Sequence, residues 1–343
     1  MTSSQASASG PIQLVTLASI EDAAAALPDS VRTSPVVRWR GKTWLKLESV
    51  QPTGSFKIRG AVTKLKRLPP HSRARGVVAY SSGNHGIAVA RAARLCGTKA
   101  TIVVPEDAPG PKAGAIALEG ATIVSCPPGS EERRLLAESI ATNSGQVLVP
   151  PYNDPDIIAG QGTIGLELLQ QLPDISCVVV PIGGGGLISG IAAAIKAVKP
   201  SVRVIGAEPE LAADAKEALV TGRPVQWPAD TVSQTIADGI RTQSLGSLNF
   251  LHIVSLVDEI VTVTEEEIMD AAVALLRRRH LVVEPAGAVS LAAVRNGSVP
   301  ADGAAVIASG GNASIEILSQ MLQRVSQHDP VKHPEHDRSA APS

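Results

Sequence analysis

One stretch most restricts what this chain can fold into: Val178-Val179-Val180-Pro181-Ile182-Gly183-Gly184-Gly185-Gly186-Leu187-Ile188-Ser189-Gly190. It reads as an apolar strand, a bend of consecutive glycines and a helix that runs from about Ile188 to Val198. Strands that give way directly to helices belong to a mostly parallel sheet covered on both faces.

The same alternation recurs. Strands are expected at Gly76–Tyr80, Ala100–Val104, Thr122–Ser125, Val147–Val149, Val202–Ala207 and Ala304–Ala308. Helices are expected at Ile87–Leu95, Ala113–Glu119, Glu131–Asn143 and Asp156–Gln171. Thr264 and Glu267 form a capping box, with Ile268, Ala272 and Leu275 on one face of the helix behind it. Prolines at 150, 151 and 155 break the pattern. The expected organisation is a small mobile domain over 77–153, a large domain made of 1–76 and 154–327, and a disordered tail over 328–343. Residues 1–12 also read as disordered. His328, His333 and His336 lie in the tail among Asp, Pro and Ser; a metal site is one reading, and a solvated tail is preferred because nothing apolar there fixes ligand geometry.

The chain has 343 residues, room for two domains, and its hydrophobic share of 44% holds only 2% aromatics, so the core must be Ala, Val, Ile and Leu. A net charge of -1 favours neither nucleic acid nor an anionic membrane as a partner. Cys96, Cys126 and Cys177 are scattered, without a C-x-x-C pair, which fits a reducing compartment. No secretory leader and no apolar run of spanning length is visible, so a cytoplasmic protein is expected.

Without side chains, the N–H groups of the four glycines can turn toward one anion, and the helix start adds partial positive charge. A dinucleotide fingerprint fails, because Ile188 or Ser189 stands where the third glycine is needed. A Walker loop fails too, since Gly190 is followed by Ile191 and Ala192. A phosphate monoester fits best; a ligand-free turn is the alternative, against which the chain entropy of four glycines speaks.

A second segment, Pro52-Thr53-Gly54-Ser55-Phe56-Lys57-Ile58-Arg59-Gly60-Ala61, sets a lysine between an aromatic ring and an isoleucine. Desolvation there favours the free amine that reacts with aldehydes. An aldehyde-reactive amine together with a phosphate cradle points to pyridoxal 5'-phosphate. Two small polar turns follow strands: Ser81-Ser82-Gly83-Asn84-His85-Gly86 could receive a carboxylate, and Ser309-Gly310-Gly311-Asn312 could face a ring nitrogen. An ordinary helix cap and a plain turn account for these two segments taken singly.

Together these motifs, with Thr235-Ile236-Ala237-Asp238-Gly239 and Glu284-Pro285-Ala286-Gly287, resemble the fold-type II pyridoxal-phosphate enzymes of the serine/threonine dehydratase and serine racemase family. The resemblance runs from about residue 15 to 325. It implies a tryptophan-synthase-β-like α/β fold of two domains and a homodimer or homotetramer. It implies that Lys57 forms the Schiff base and that Phe56 lies beside the ring. Gly183, Gly184, Gly185, Gly186 and Leu187 take the phosphate, Asn84 the 3'-oxygen and Ser309 the ring nitrogen. Gly239 lies against the ring, and Ser81, Ser82, Gly83, Asn84 and His85 receive the substrate carboxylate. Ser82 matches the second acid/base of the racemases. Glu208, Asp214 and the Ala212 carbonyl match a site for Mg2+, Mn2+ or Ca2+; two solvated acids at a helix start are the bland alternative. Ile87 replaces a glutamine of many relatives, which speaks against nucleotide activation. The stretch Ala108 to Lys112 is a further departure. No regulatory domain is expected after residue 325.

The implied activity is the dehydration of a small amino-acid substrate, a β-hydroxy amino acid such as L-serine or L-threonine, to a 2-oxo acid and ammonia. A serine racemase or a 3-hydroxyaspartate dehydratase would use the same residues. A non-catalytic binding protein on the same scaffold is the alternative of another class.

Overall fold

Short runs of Val, Ile and Ala pair in parallel to build two sheets in the computed structural model, which describes residues 13–31, 33–107 and 110–328. The ten strands are β1 (Val36–Arg40), β2 (Thr43–Leu47), β3 (Val77–Tyr80), β4 (Ala100–Pro105), β5 (Thr122–Cys126), β6 (Val147–Leu148), β7 (Cys177–Pro181), β8 (Arg203–Pro209), β9 (Glu259–Val263) and β10 (Ala304–Ala308). One sheet has the order β1-β2-β10-β7-β8-β9, and only the β1–β2 pair is antiparallel. The other, β5-β4-β3-β6, is parallel throughout.

Helices cover both sheets, as parallel strands with no wet face require. Those used below are the helices Lys57–Arg67, Asn84–Leu95, Gly110–Leu118, Pro155–Gln171, Gly186–Val198, Asp214–Thr221, Glu265–Arg279, Pro285–Arg295 and Ile315–His328. On one face of the six-stranded sheet, Val179, Ile205 and Val306 pack with Ile268, Leu275, Val289 and Met321. On the other, Val178, Val180 and Ile307 pack with Ile164, Leu168, Ile188 and Ile191. The helix Lys57–Arg67 gives Ile58, Ala61, Val62 and Leu65 to the core beneath β3 and β4.

Most expected elements are present with ends shifted by a residue or two. Two starts differ in a way that matters. The helix expected from Ile87 begins at Asn84, and the one expected from Ile188 begins at Gly186, so Asn84 and Gly186 lie in first helical turns rather than in loops. The Thr264–Glu267 capping box forms with both reciprocal bonds. The β1–β2 hairpin and β9 were not anticipated. His328, expected in the tail, closes the helix Ile315–His328; the segments 1–12 and 329–343, with His333 and His336, lie outside the described residues.

An ion cluster ties the helix Lys57–Arg67 to its surroundings. Arg59 is fully buried. Its guanidinium donates to Glu48 Oε1 and Oε2, both at 2.8 Å, to Glu167 Oε1 at 2.6 Å and to Thr163 Oγ1 at 3.1 Å. Buried Lys46 on β2 donates to Glu167 Oε2 at 2.5 Å, Gln171 Oε1 at 2.8 Å and Ser34 O at 2.8 Å. Burial works to raise the Glu48 carboxyl, but the Arg59 charge outweighs it and holds the group below its usual value. Glu48→Ala leaves the buried guanidinium short of its partner, and is expected to lower the unfolding free energy by about 3–5 kcal/mol. Urea denaturation reads this directly; a loss under about 1 kcal/mol would mean that water screens the cluster.

Candidate active site

Lys57 is the first residue of its helix, two positions before Arg59. The segment ahead of it is stitched to the turn after β10. Ser55 bridges Gly310, Phe56 N donates to Ser309 O at 3.1 Å, and Gly311 N donates to Gly54 O at 2.8 Å. The lysine is half-buried. Its Nζ donates to Pro151 O at 2.8 Å and lies 5.1 Å from the Phe56 ring centroid. Among the described residues no carboxylate pairs with it. Desolvation brings the ammonium down from 10.5 to about 8. At pH 7 about one such lysine in ten is a free amine, against roughly one in three thousand at the ordinary value.

The residue after Pro151 reaches the glycine bend. A Cβ at Gly184 would fall 2.3 Å from the Tyr152 ring, so only a bare backbone fits there. Gly185 has φ +91°, in the left-handed region that glycine enters without strain. The carbonyls turn away: Gly184 O accepts from Gly246 N at 3.2 Å and Gly185 O from Ser189 N at 3.0 Å. Among the described residues, the N–H groups of Gly183, Gly184, Gly185, Gly186 and Leu187 donate to nothing. Buried donors are rarely left unpaired. Grouped at the start of the helix Gly186–Val198, they form a cradle for a dianion, and a phosphate monoester fits it.

The turn after β3 is held by Ser81 Oγ, which accepts from Gly83 N at 3.2 Å. His85 is buried, with Nε2 2.9 Å from Val149 O. Burial, with the nearby Lys57 charge, depresses it to about 3, so the ring is neutral and donates inward to that carbonyl. Only its backbone can therefore serve a substrate carboxylate. The Ser82 hydroxyl is half-buried and, among the described residues, has no hydrogen-bond partner.

Asn84 sits in a chain of amides. Asn312 Nδ2 donates to Thr53 O at 2.8 Å and to Asn84 Oδ1 at 2.7 Å, and Asn84 Nδ2 donates to Glu284 Oε1 at 2.6 Å. The second N–H of the Asn84 side-chain amide has no acceptor among the described residues. Gly239, in the turn Asp238–Ile240, faces Ala286 and Glu284: its built Cβ would be 3.1 Å from Ala286 Cβ and 3.8 Å from Glu284 Oε1. Ser309 is buried, 4% exposed, at the end of β10. Lys112 Nζ pairs with Asp238 Oδ2 at 2.5 Å, joining the helix Gly110–Leu118 to this cluster.

Tyr152 and Glu284 are members of the site that residue-by-residue reading did not single out. Glu284 stands before a proline that opens a helix, where an acid reads as a cap; its side chain makes no cap bond.

Glu208 and Asp214 come together beside the glycine bend, at the same ends of the parallel strands: Ala207 pairs with Pro181, and Asp214 acts on the Tyr152 phenol. Glu208 accepts from Ala215 N at 3.1 Å and Lys216 N at 2.8 Å and so caps the helix Asp214–Thr221. Burial raises both carboxyls, Asp214 to about 7, and Asp214 Oδ2 is buried without a partner. An unpaired oxygen of this kind suits a hard cation. No group of three or more His, Cys, Asp or Glu with metal-ligand geometry occurs among the described residues, so the remaining donors would be backbone carbonyls such as Ala212 and water.

A family model described as pyridoxal-phosphate dependent enzyme matches residues 28–310. An L-threonine ammonia-lyase of Thermotoga maritima is 44% identical over 83% of this chain and 70% of its own length. A catabolic L-threonine dehydratase of Staphylococcus aureus is 38% identical over 90% of this chain and 92% of its own. The structure of maize serine racemase superposes with a TM-score of 0.85 at 36% identity, covering 92% of this chain and 99% of that one.

Two outcomes follow from this geometry. Modification of Lys57 by an amine reagent, followed by peptide mass spectrometry on cofactor-free protein, should be half-maximal near pH 8; a profile centred above pH 10 would show a solvated lysine. Gly184→Ala drives a methyl into the Tyr152 ring, and is expected to weaken pyridoxal 5'-phosphate binding by at least tenfold, about 1.4 kcal/mol, in equilibrium titration.

Proposed function

The chain belongs to the pyridoxal-phosphate-dependent enzyme family, and we propose that it is an ammonia-lyase that converts L-threonine or L-serine to a 2-oxo acid and ammonia. The observation that carries this reading is the pairing of the depressed Lys57 amine with the free N–H groups of Gly183 to Leu187, linked through Pro151 and Tyr152.

When bound, pyridoxal 5'-phosphate supplies an aldehyde that captures amines and a ring that accepts electrons from an amino-acid Cα. Gly183, Gly184, Gly185, Gly186 and Leu187 would hold its phosphate, and Phe56, Gly239 and Ser309 would receive its ring. The free N–H of Asn84 serves the ring oxygen. In the turn Ser81 to His85 the N–H groups of Ser81 and Gly83 are held by Val103 O and Ser81 Oγ; those of Ser82, Asn84 and His85, without an acceptor among the described residues, would take the substrate carboxylate and so place the α-hydrogen. Lys57 takes that proton as a neutral amine, a role for which a value near 8 is suited. Ser309 would meet the ring nitrogen with a neutral hydroxyl, where an aspartate would bring a charge.

Residues 77–153 form, in this reading, a unit that closes on the rest of the chain and excludes water, with Lys112–Asp238 as one contact across the mouth. A divalent cation held by Glu208, Ala212 and Asp214 would offset the two buried acids. No helix among the described residues is long and apolar enough to cross a membrane. A cytoplasmic homodimer or homotetramer is proposed.

A second reading, racemisation, is supported by the unpartnered Ser82 hydroxyl and by the likeness to maize serine racemase. Ser82 would then return a proton to the opposite face of Cα.

The purified protein should be yellow, absorbing at about 410–420 nm. It should release 2-oxo acid from a panel of β-hydroxy amino acids that includes L-serine, L-threonine and 3-hydroxyaspartate. Lys57→Ala should lose the band and lower kcat by about 10²–10⁴-fold or more. A colourless wild type that binds no cofactor would support a binding protein instead. Ser82→Ala should remove enantiomer formation, read by chiral chromatography, and spare elimination; equal loss of both would remove Ser82 from that role.

A further inference from the structure

Glu284 is a buried acid that the chemistry above leaves unused. It is 4% exposed and stands at the N-cap position of the helix Pro285–Arg295, yet its carboxyl bonds none of the free N–H groups there. It turns instead to Asn84, 200 residues away in the chain, and accepts from Nδ2 at 2.6 Å. Its backbone N–H is anchored on Gly310 O at 3.0 Å. The position is reserved for it: a Cβ at Gly310 would fall 2.1 Å from Oε1. Asn312 bonds the other end of the same amide at 2.7 Å, so the orientation of Asn84 is fixed from both sides.

We propose that Glu284 is a positioning residue, which holds Asn84 with one N–H free for the cofactor ring and tunes that donor through its own charge. The proposal rests on the cofactor reading above and assigns a function to a residue which that reading omits. An amide that donates one N–H to a carboxylate donates its other N–H less strongly, and the carboxylate charge itself disfavours an anionic ring oxygen nearby. Neutral Glu284 accepts the Asn84 bond through its carbonyl oxygen and adds no charge. The two forms of Glu284 therefore present two different environments to the same ring oxygen.

The groups facing Glu284 place the change in the physiological range. Burial raises the carboxyl from 4.5 to about 7, and Asp238 pushes it the same way, while the Asn84 bond and the Lys112 charge act in the opposite sense. Lys112 arrives with the helix Gly110–Leu118 and is paired with Asp238. A carboxyl raised in the folded chain costs nothing below the unfolded value near 4.5. Its cost grows as pH rises toward 7 and stays at its full size above that.

Three variants test this in the holoenzyme, by the absorbance of the bound cofactor and by kcat and KM against pH. The wild type should show a spectral inflection near pH 7. Glu284→Gln keeps the acceptor but cannot ionise, and should lose that inflection. Glu284→Asp should retain one. Glu284→Ala should lower kcat by about tenfold with KM little changed, because Asn84 is freed while the carboxylate loop is intact. The melting temperature of Glu284→Gln relative to wild type should rise between pH 5 and pH 8, since the variant escapes the ionisation cost. A Gln variant with the wild-type inflection, or a melting difference that does not change with pH, overturns the inference alone. A wild type that takes up no pyridoxal 5'-phosphate overturns the cofactor reading, and this inference with it.

Discussion

Everything at this site depends on where the first turn of one helix sits, and four charges decide that, three of them buried and the fourth, Glu167, half-buried. Arg59 and Lys46 meet Glu48 and Glu167, equal in number and opposite in sign, at distances between 2.5 and 3.0 Å. They join β2, the helix Lys57–Arg67 and the helix Pro155–Gln171. A buried ion cluster adds little stability over a well-packed apolar one, because removing charges from water costs nearly what their attraction returns. Its contribution here is position: the guanidinium fork accepts one geometry, and Lys57 is two residues from it. The helix Lys57–Arg67 answers to two neighbours at once, apolar contacts under the four-stranded sheet and charges beside the six-stranded one.

The same economy runs through the rest of the site. The amine of Lys57 has burial without a counter-charge, and so loses its proton easily. The N–H groups of the glycine bend have burial without acceptors, and so carry an unanswered positive field. Donors fixed before a ligand arrives need no rearrangement when it does, which is the source of most electrostatic stabilisation in enzymes. His85 shows the opposite choice. It lies close to Lys57 but is committed to Val149 O, so it stays neutral and adds no competing base.

Much of this was legible in the order of residues. Apolar runs marked the inner parallel strands, because a strand buried on both faces has no reason to alternate. The glycine bend and Lys57 were visible because each breaks a local rule: four glycines cost chain entropy, and a lysine stands between an aromatic ring and an isoleucine. The β1–β2 hairpin was missed since Val36-Val37-Arg38-Trp39-Arg40 is half polar and takes its place only by pairing with β2 at the sheet edge. The start of the helix Asn84–Leu95 was missed because Ser, Gly, Asn and His look like a turn until the chain behind them is coiled. The contacts of Glu284 and Tyr152 were beyond local reading, although Glu284 opens one of the motifs that carry the resemblance. Their meaning lies in partners far along the chain, Asn84 for one and Gly184 for the other, and no periodicity encodes that.

The seam between β2 and β10 has a consequence for how such a chain is born. Residues 44–47 lie against 305–308, and Ser55 against Gly310. A ribosome delivers the lysine segment well before its partner strand. Until that last strand emerges, the nascent chain holds a reactive amine and an unpaired β2 edge with nothing to seat them, the kind of exposed intermediate that chaperones retain. Vitamin capture is thereby deferred until β10 has been made, and a ribosome that stalls between the glycine bend and β10 would leave a product with both halves of the ligand's contacts and no means of bringing them together.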